Sequence, residues 1–152
     1  MTARDEYPRH AERIRQELAA APDGANASKR LVSYLKDAIP HYTWVGIYWL
    51  DGNELVLGPY LGKPSPHTRI PLGRGICGAA AADGITSVVD DVNADPRYLA
   101  CSIETQSEIV VPIIRHGIVL GEIDIDSDAK AAFDELDREL LESVAANLAE
   151  KL

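Results

Sequence analysis

The segment IVLGEIDID, residues 118–126, limits what this chain can fold into more than any other feature. Its residues alternate strictly, so an extended strand sends Ile123 and Ile125 to one side and Glu122, Asp124 and Asp126 to the other. The acidic side has two readings. A solvated outer face is the simpler one, and it suits Glu122. Asp124 and Asp126 are harder to place in water. Like charges two residues apart repel, and strands disfavour Asp, so some benefit should offset both. A pocket that binds an ammonium group, or that needs a shared proton, supplies one. Carboxylates crowded together can hold a proton near neutral pH, as an acid catalyst must.

Around this strand the sequence predicts an α+β arrangement. Residues from about Asp5 to Ala20 read as a helix, broken by PDGAN, and a second helix runs to Ile39 with Leu31, Leu35 and Ile39 on one face before Pro40 stops it. TWVGIYWL and ELVLGPY form a hairpin across DGN, and EIVVPII and IVLGEIDID form another across RHG. RIPL and SVVDDV are further strands, with a short helix from GRGICG through Ala82 between them. Asn93–Ser107 reads as a long functional loop. A last helix carries Phe133, Leu136, Leu140, Leu141, Val144 and Leu148, with Asp134 and Asp137 suited to its cap. About six antiparallel strands with helices on one face follow. The other face needs its own cover, which the long loop and the short helix can provide over a pocket.

At 152 residues the chain is expected to be one domain: helices over 1–40, sheet and pocket loops over 41–127, and a helix over 128–152. The opening residues MTARDEYPRH lack an apolar secretory core, and no run approaches membrane-spanning length. The expected address is the cytoplasm, where a disulfide is transient or catalytic. A formal charge of −9 argues against nucleic acid as a partner, though not against a small cationic or zwitterionic ligand.

The only two thiols are Cys77 and Cys101. Cys77 follows a glycine-rich turn and opens a helix, whose N-terminus favours thiolate. Cys101 lies in the polar loop ahead of Glu108. Reversible thiol chemistry suits such a pair better than stapling, although a buried Cys is usually inert. Gly73, Gly75 and Gly78 satisfy GxGxxG, but RIPL and a helix of barely two turns do not make a dinucleotide unit. No cofactor is expected, and the scattered His10, His41, His67 and His116 suggest no metal site. Trp44 and Tyr48 share a strand face across Gly46, whose missing side chain leaves room for a ligand. Aromatics so spaced are more often plain core, and that is what the residues alone favour.

The run TWVGIYWL, ELVLGPYLGK, TRIPLGRGICG, VVDDV, ACSIETQSEIVVPI and GEIDIDS resembles the GAF-domain family of free methionine-(R)-sulfoxide reductases over roughly the C-terminal three-quarters of the chain. The resemblance implies a six-stranded antiparallel sheet flanked by helices, with a roofed pocket on one face. It implies reduction of the R-sulfoxide of free methionine, with thioredoxin restoring the enzyme. Cys101 matches the attacking cysteine, which becomes a sulfenic acid, and Cys77 matches a cysteine able to condense with that acid. Glu108, Asp124 and Asp126 match carboxylates that hold the amino group and assist protonation of the sulfoxide oxygen. Trp44 and Tyr48 match pocket aromatics, which moves them from core to site.

One departure stands out. The family usually has a further cysteine between GK and RIP, often the resolving partner, where this chain reads GKPSPHTRIP with Ser65, Pro66 and His67. Three outcomes stay open: Cys77 resolves Cys101, an outside thiol reduces the sulfenic acid, or the domain has left catalysis. In the last case it would be a GAF ligand-binding or redox-sensor module. The terminal helices fit a homodimer, as the resemblance implies, and fit equally a cover for the sheet.

Overall fold

A computed structural model describes residues 3–99 and 103–152. After a short 3-10 turn at Ala3–Glu6 come α1 (Tyr7–Ala20), α2 (Gly24–Ala38), β1 (Trp44–Asp51), β2 (Glu54–Leu61), β3 (Arg69–Pro71), α3 (Gly75–Asp83), β4 (Ser87–Val89), a 3-10 turn at Val92–Ala94, β5 (Ser107–Arg115), β6 (Ile118–Ser127) and α4 (Glu135–Ala149). The strands make one six-stranded antiparallel sheet in the order β3-β2-β1-β6-β5-β4. None of the described helices is long and apolar enough to cross a membrane.

Local chemistry sets the element ends. Asp23 caps α2 by accepting from the Asn26 N–H at 2.8 Å, and Pro40 follows its end. His116 and Gly117 both take positive φ in the two-residue turn joining β5 to β6, as a type I′ hairpin requires. A register shift between Ile113 and Ile114 then places Ser107 opposite Ser127 and fixes the alternation over the remainder of both strands. Val45, Ile47, Ile109, Val111, Ile113, Ile123 and Ile125 therefore share one face, where they pack on Leu31, Leu35, Leu141, Val144 and Leu148 from the helices. Each such side chain stabilises the fold by about 1.5–3 kcal/mol on burial. The opposite face is covered by α3 and the loop that follows β4, as expected.

Two details depart from the sequence reading. SVVDDV is a strand only as far as Val89: the Asp90 carbonyl accepts from the Ala131 N–H instead, and Val92 turns into the second core. Leu136 is exposed rather than core. The inward stripe of α4 runs Asp137, Leu141, Val144 and Leu148, which carries Leu136 off that face.

Asp137 is therefore buried, and it is surrounded by donors. Its Oδ1 accepts from the Tyr7 and Tyr42 hydroxyls at 2.5 and 2.9 Å and lies 2.9 Å from His41 Nε2. Its Oδ2 accepts from Arg4 and from the Asp134 N–H, which closes the capping box of α4. Burial alone would raise its pKa, but the bonds from His41, Tyr7, the Asp134 amide and Tyr42 outweigh it and hold the carboxylate well below the ordinary range. A lowered pKa contributes stability above the unfolded value near pH 4 and withdraws it as pH falls further. Asp137→Asn should lose about 3 kcal/mol in denaturant unfolding at neutral pH. The deficit should narrow below about pH 4 as wild type protonates; a constant deficit would show that charge is not what the network stabilises.

Candidate active site

Cys77 reaches the sheet through the GRGICG turn. Gly73 and Gly75 take φ of 82° and 69°, which only glycine adopts freely, and the Gly73 N–H bonds to the Gly78 carbonyl at 2.9 Å. The chain is thus folded tightly enough to start α3 with Cys77 at its third position. The thiol is buried and its Sγ lies 3.9 Å from Glu108 Oε2. The helix N-terminus does not make it acidic. Burial first, then Asp124, Glu122, Glu108 and Asp126, push its pKa well up.

Below α3 lie the acids. Glu108 on β5 is the direct cross-strand partner of Asp126 on β6, and Asp124 sits two residues along on the same face. All three are buried. Burial pushes each upward, and Glu108 is pushed further by Asp124 and Asp126, both within hydrogen-bonding reach. Burial and crowding thus favour retaining protons among Glu108 and the two aspartates over full ionisation. One oxygen of each aspartate, Asp124 Oδ1 and Asp126 Oδ1, has no hydrogen-bond partner among the described residues.

Glu122 overturns its expected place in water. It is 0% exposed, on the pocket face beside Tyr48 and Pro112, and neither oxygen has a hydrogen-bond partner among the described residues. Burial, then Asp124, raises its pKa well above normal, while the Cys77 thiol lowers it. Strand alternation assigned the correct face, but it could not tell water from a covered acidic pocket.

The aromatics border two hollows. Trp44 lies stacked on Tyr60 and donates to the Lys63 carbonyl at 2.9 Å. Its ring covers Gly46, where a Cβ would fall 2.3 Å from Cη2, so indole and not ligand fills the space that glycine leaves. A hollow lies between Trp44, Lys63, Glu104, Thr105 and Asp126. Another, smaller one lies between Tyr48, Cys77, Leu99, Glu108 and Asp124. Tyr48 donates to the His67 carbonyl at 2.8 Å. Lys63 pairs with Glu104 at 2.6 Å across the rim of the first hollow, a contact between separate segments that no local pattern announces.

Of the residues singled out in the sequence, Cys77, Glu108, Asp124, Asp126, Trp44 and Tyr48 thus converge on one face, joined by Glu122. Cys101 lies outside the described residues. The ligating atoms of Cys77, Glu108 and Asp124 come within 4.8 Å of one another, close enough to hold a cation. Histidine spacing gave no hint of that group. Raised carboxyl pKa values mean that the folded state keeps protons the unfolded chain has released, so their stabilising effect fades as pH rises through the folded values. The ligand-free protein should therefore melt at higher temperature near about pH 5 than at pH 8, and Asp126→Asn should flatten the difference. Equal slopes in calorimetry would mean the acids are not sharing protons.

A family model described as GAF domain matches residues 23–152. Free methionine-R-sulfoxide reductase of Saccharomyces cerevisiae is 42% identical over 125 residues, covering 80% of this chain and 69% of the yeast protein. Protein YtsP of Bacillus subtilis is 43% identical over 130 residues, covering 84% of this chain and 77% of that protein. The crystal structure of free methionine-R-sulfoxide reductase from Neisseria meningitidis in complex with its substrate superposes with a TM-score of 0.94 at 38% identity, covering 99% of this chain and 90% of that one. With a match that spans all six strands and the covered acid face, the chain belongs to the GAF domain family.

Proposed function

We propose that this protein reduces the R-sulfoxide of free methionine, with Cys101 as the attacking sulfur. The observation that carries the reading is the pair of buried oxygens, Asp124 Oδ1 and Asp126 Oδ1, that have no hydrogen-bond partner among the described residues, on the sheet face that Cys77 also meets. Buried acceptors without donors are costly, and an amino acid's ammonium group supplies both the missing donors and the compensating charge. Methionine within a protein has no such group, so the same oxygens select the free amino acid. The relatives named for this activity in yeast and Neisseria support the assignment.

The chemistry balances with the residues available. The Cys101 sulfur attacks the sulfoxide sulfur, and the shared proton on Glu108 moves to the sulfoxide oxygen as it gains charge. The sulfoxide is reduced by two electrons to methionine, while Cys101 is oxidised by two and takes the oxygen as a sulfenic acid. Trp44 and Tyr48 supply flat apolar walls for the methyl group. The Cys77 thiol then displaces the hydroxyl as water to form a disulfide, which thioredoxin reduces by exchange. Both steps belong in a reducing compartment such as the cytoplasm.

Turnover can be followed by coupling NADPH oxidation to thioredoxin, with R-sulfoxide, S-sulfoxide and N-acetylmethionine sulfoxide offered separately. Only the free R form should react, and Cys101→Ser should abolish the rate. Asp126→Asn should lower kcat/KM by roughly a hundredfold, the loss expected of a charge-assisted hydrogen bond. Comparable reduction of the N-acetyl compound would refute ammonium recognition. Binding of methionine sulfoxide with no methionine formed would instead make the domain a sensor.

Cys77→Ser should retain one rapid turnover per chain and then stall as a sulfenic acid that dimedone traps. Undiminished thioredoxin-linked cycling in that variant would remove Cys77 from the reaction.

A further inference from the structure

The smaller hollow brings together donors that a metal ion uses. Cys77 Sγ, a Glu108 oxygen and an Asp124 oxygen lie within 4.8 Å of one another, and all three residues line that hollow. They come from α3, β5 and β6, so no local run of sequence gathers them. Cys77 Sγ is 3.9 Å from Glu108 Oε2. Sulfur and oxygen ligands of a tetrahedral zinc ion stand about 3.5 Å apart, so this edge needs only a slight closing. The remaining gaps, none above 4.8 Å, close by side-chain torsion.

A second observation points to a ligand. Asp124 is 3% exposed, yet its Oδ1 has no hydrogen-bond partner among the described residues. A buried acceptor left open is costly, and more so when it carries charge. Arg97, whose charge Glu108 feels, is engaged by Asp95 at 2.7 Å, and Lys63 is engaged by Glu104 at 2.6 Å. Glu122 adds another buried carboxyl with neither oxygen partnered among the described residues. The start of α3 opposes a cation, but its partial charge is only about half a unit against several carboxyl groups.

The donor set selects the metal. A thiol argues against magnesium and calcium, which take oxygen ligands, and two carboxylates argue against copper(I), which takes soft sulfur. Zinc accepts thiolate and carboxylate together. We propose that Cys77, Glu108 and Asp124 form a zinc site whose fourth position is open to water. The site does not rest on the reductase reading. On binding, the thiol proton passes to solvent, a zinc–sulfur bond forms, and no electrons move. Where the reductase reading holds, the ion also covers the Asp124 oxygen assigned to ammonium and withdraws Cys77 from exchange, so zinc and substrate exclude one another.

Cobalt(II) enters zinc sites and reports its ligands by colour. Titrated into the reduced Cys101→Ser chain, which keeps Cys77 as its single thiol, it should give the visible bands of a tetrahedral ion and a near-ultraviolet sulfur-to-metal band. Stoichiometric zinc should erase both, and Cys77→Ser should abolish the sulfur band. Asp124→Asn and Glu108→Gln, checked for fold by circular dichroism, should each weaken zinc at least about tenfold in competition with a chromophoric chelator. Zinc at about ten times its dissociation constant should slow modification of Cys77 by methyl methanethiosulfonate about tenfold, and a chelator should restore the rate.

Cobalt bound without a sulfur band overturns the site, as does a Cys101→Ser chain that binds no metal. Unchanged zinc affinity in both carboxyl variants places the ion elsewhere and has the same force. Should those variants fail to fold, the cobalt spectrum and the protection of Cys77 decide, and the absence of either refutes the proposal. No sulfoxide enters these measurements. A chain that binds zinc here yet forms no methionine from its sulfoxide would sink the reductase reading and leave the metal site standing.

Discussion

Four carboxyl groups and a thiol share one buried sheet face, and the cost of charging that face governs the rest of the molecule. Glu108, Glu122, Asp124 and Asp126 cannot all ionise beneath α3, because desolvation and mutual repulsion both oppose it. Two remedies exist: protons retained and shared, or a cation brought in. The upward shifts of all four acids favour the first when no cation is bound. In the proposed reaction an ammonium-bearing substrate would supply the second, which would link binding to proton release and make a proton available to the sulfoxide oxygen. The same field holds the Cys77 thiol neutral until a partner arrives.

Such a face persists only if something else stabilises the sheet. The opposite side of the same strands does so, with Ile123 and Ile125 alternating against Asp124 and Asp126 and packing under α1, α2 and α4. Asp137 makes the physical contrast plain. It is as thoroughly buried as the pocket acids, yet its pKa moves down where theirs move up. Burial is common to both; what differs is the donors. Tyr7, Tyr42, His41, Arg4 and a backbone amide converge on Asp137, whereas Asp126 has an oxygen that no described residue satisfies. One arrangement is complete and holds the helices together. The other is incomplete and invites a ligand.

The sequence made the strand faces legible because alternation is a local property. Asp124 and Asp126 could be assigned to one side of β6, and Trp44 and Tyr48 to one side of β1. Glu108 faces Asp126 only because the register shifts by one residue between Ile113 and Ile114, which the turn at His116 and Gly117 does not announce. What covers that side is not local. It depends on α3 and the loop around Leu99 folding back over the sheet, and Glu122 was misread for that reason. Leu136 failed differently: the inward stripe of α4 includes an aspartate, and hydrophobic periodicity cannot see a buried carboxylate held by distant tyrosines. Cys77 looked acidic from its place at a helix start, but nearby carboxylates and burial outweigh the partial charge of nine helical residues.

Trp44 shows how the face is divided. Its indole lies over Gly46 and borders one hollow together with Asp126, whereas Asp124 and Cys77 border another. Asp124 and Asp126 are two residues apart on one strand, so in the proposed reaction an ammonium group held between them would meet both spaces. The remainder of an amino acid then extends away from a fixed charge, and the reach from ammonium to sulfur becomes a geometric measure of the substrate. Under that reading, recognition by charge at one end and by a flat apolar wall at the other would discriminate on length, which neither contact could do alone.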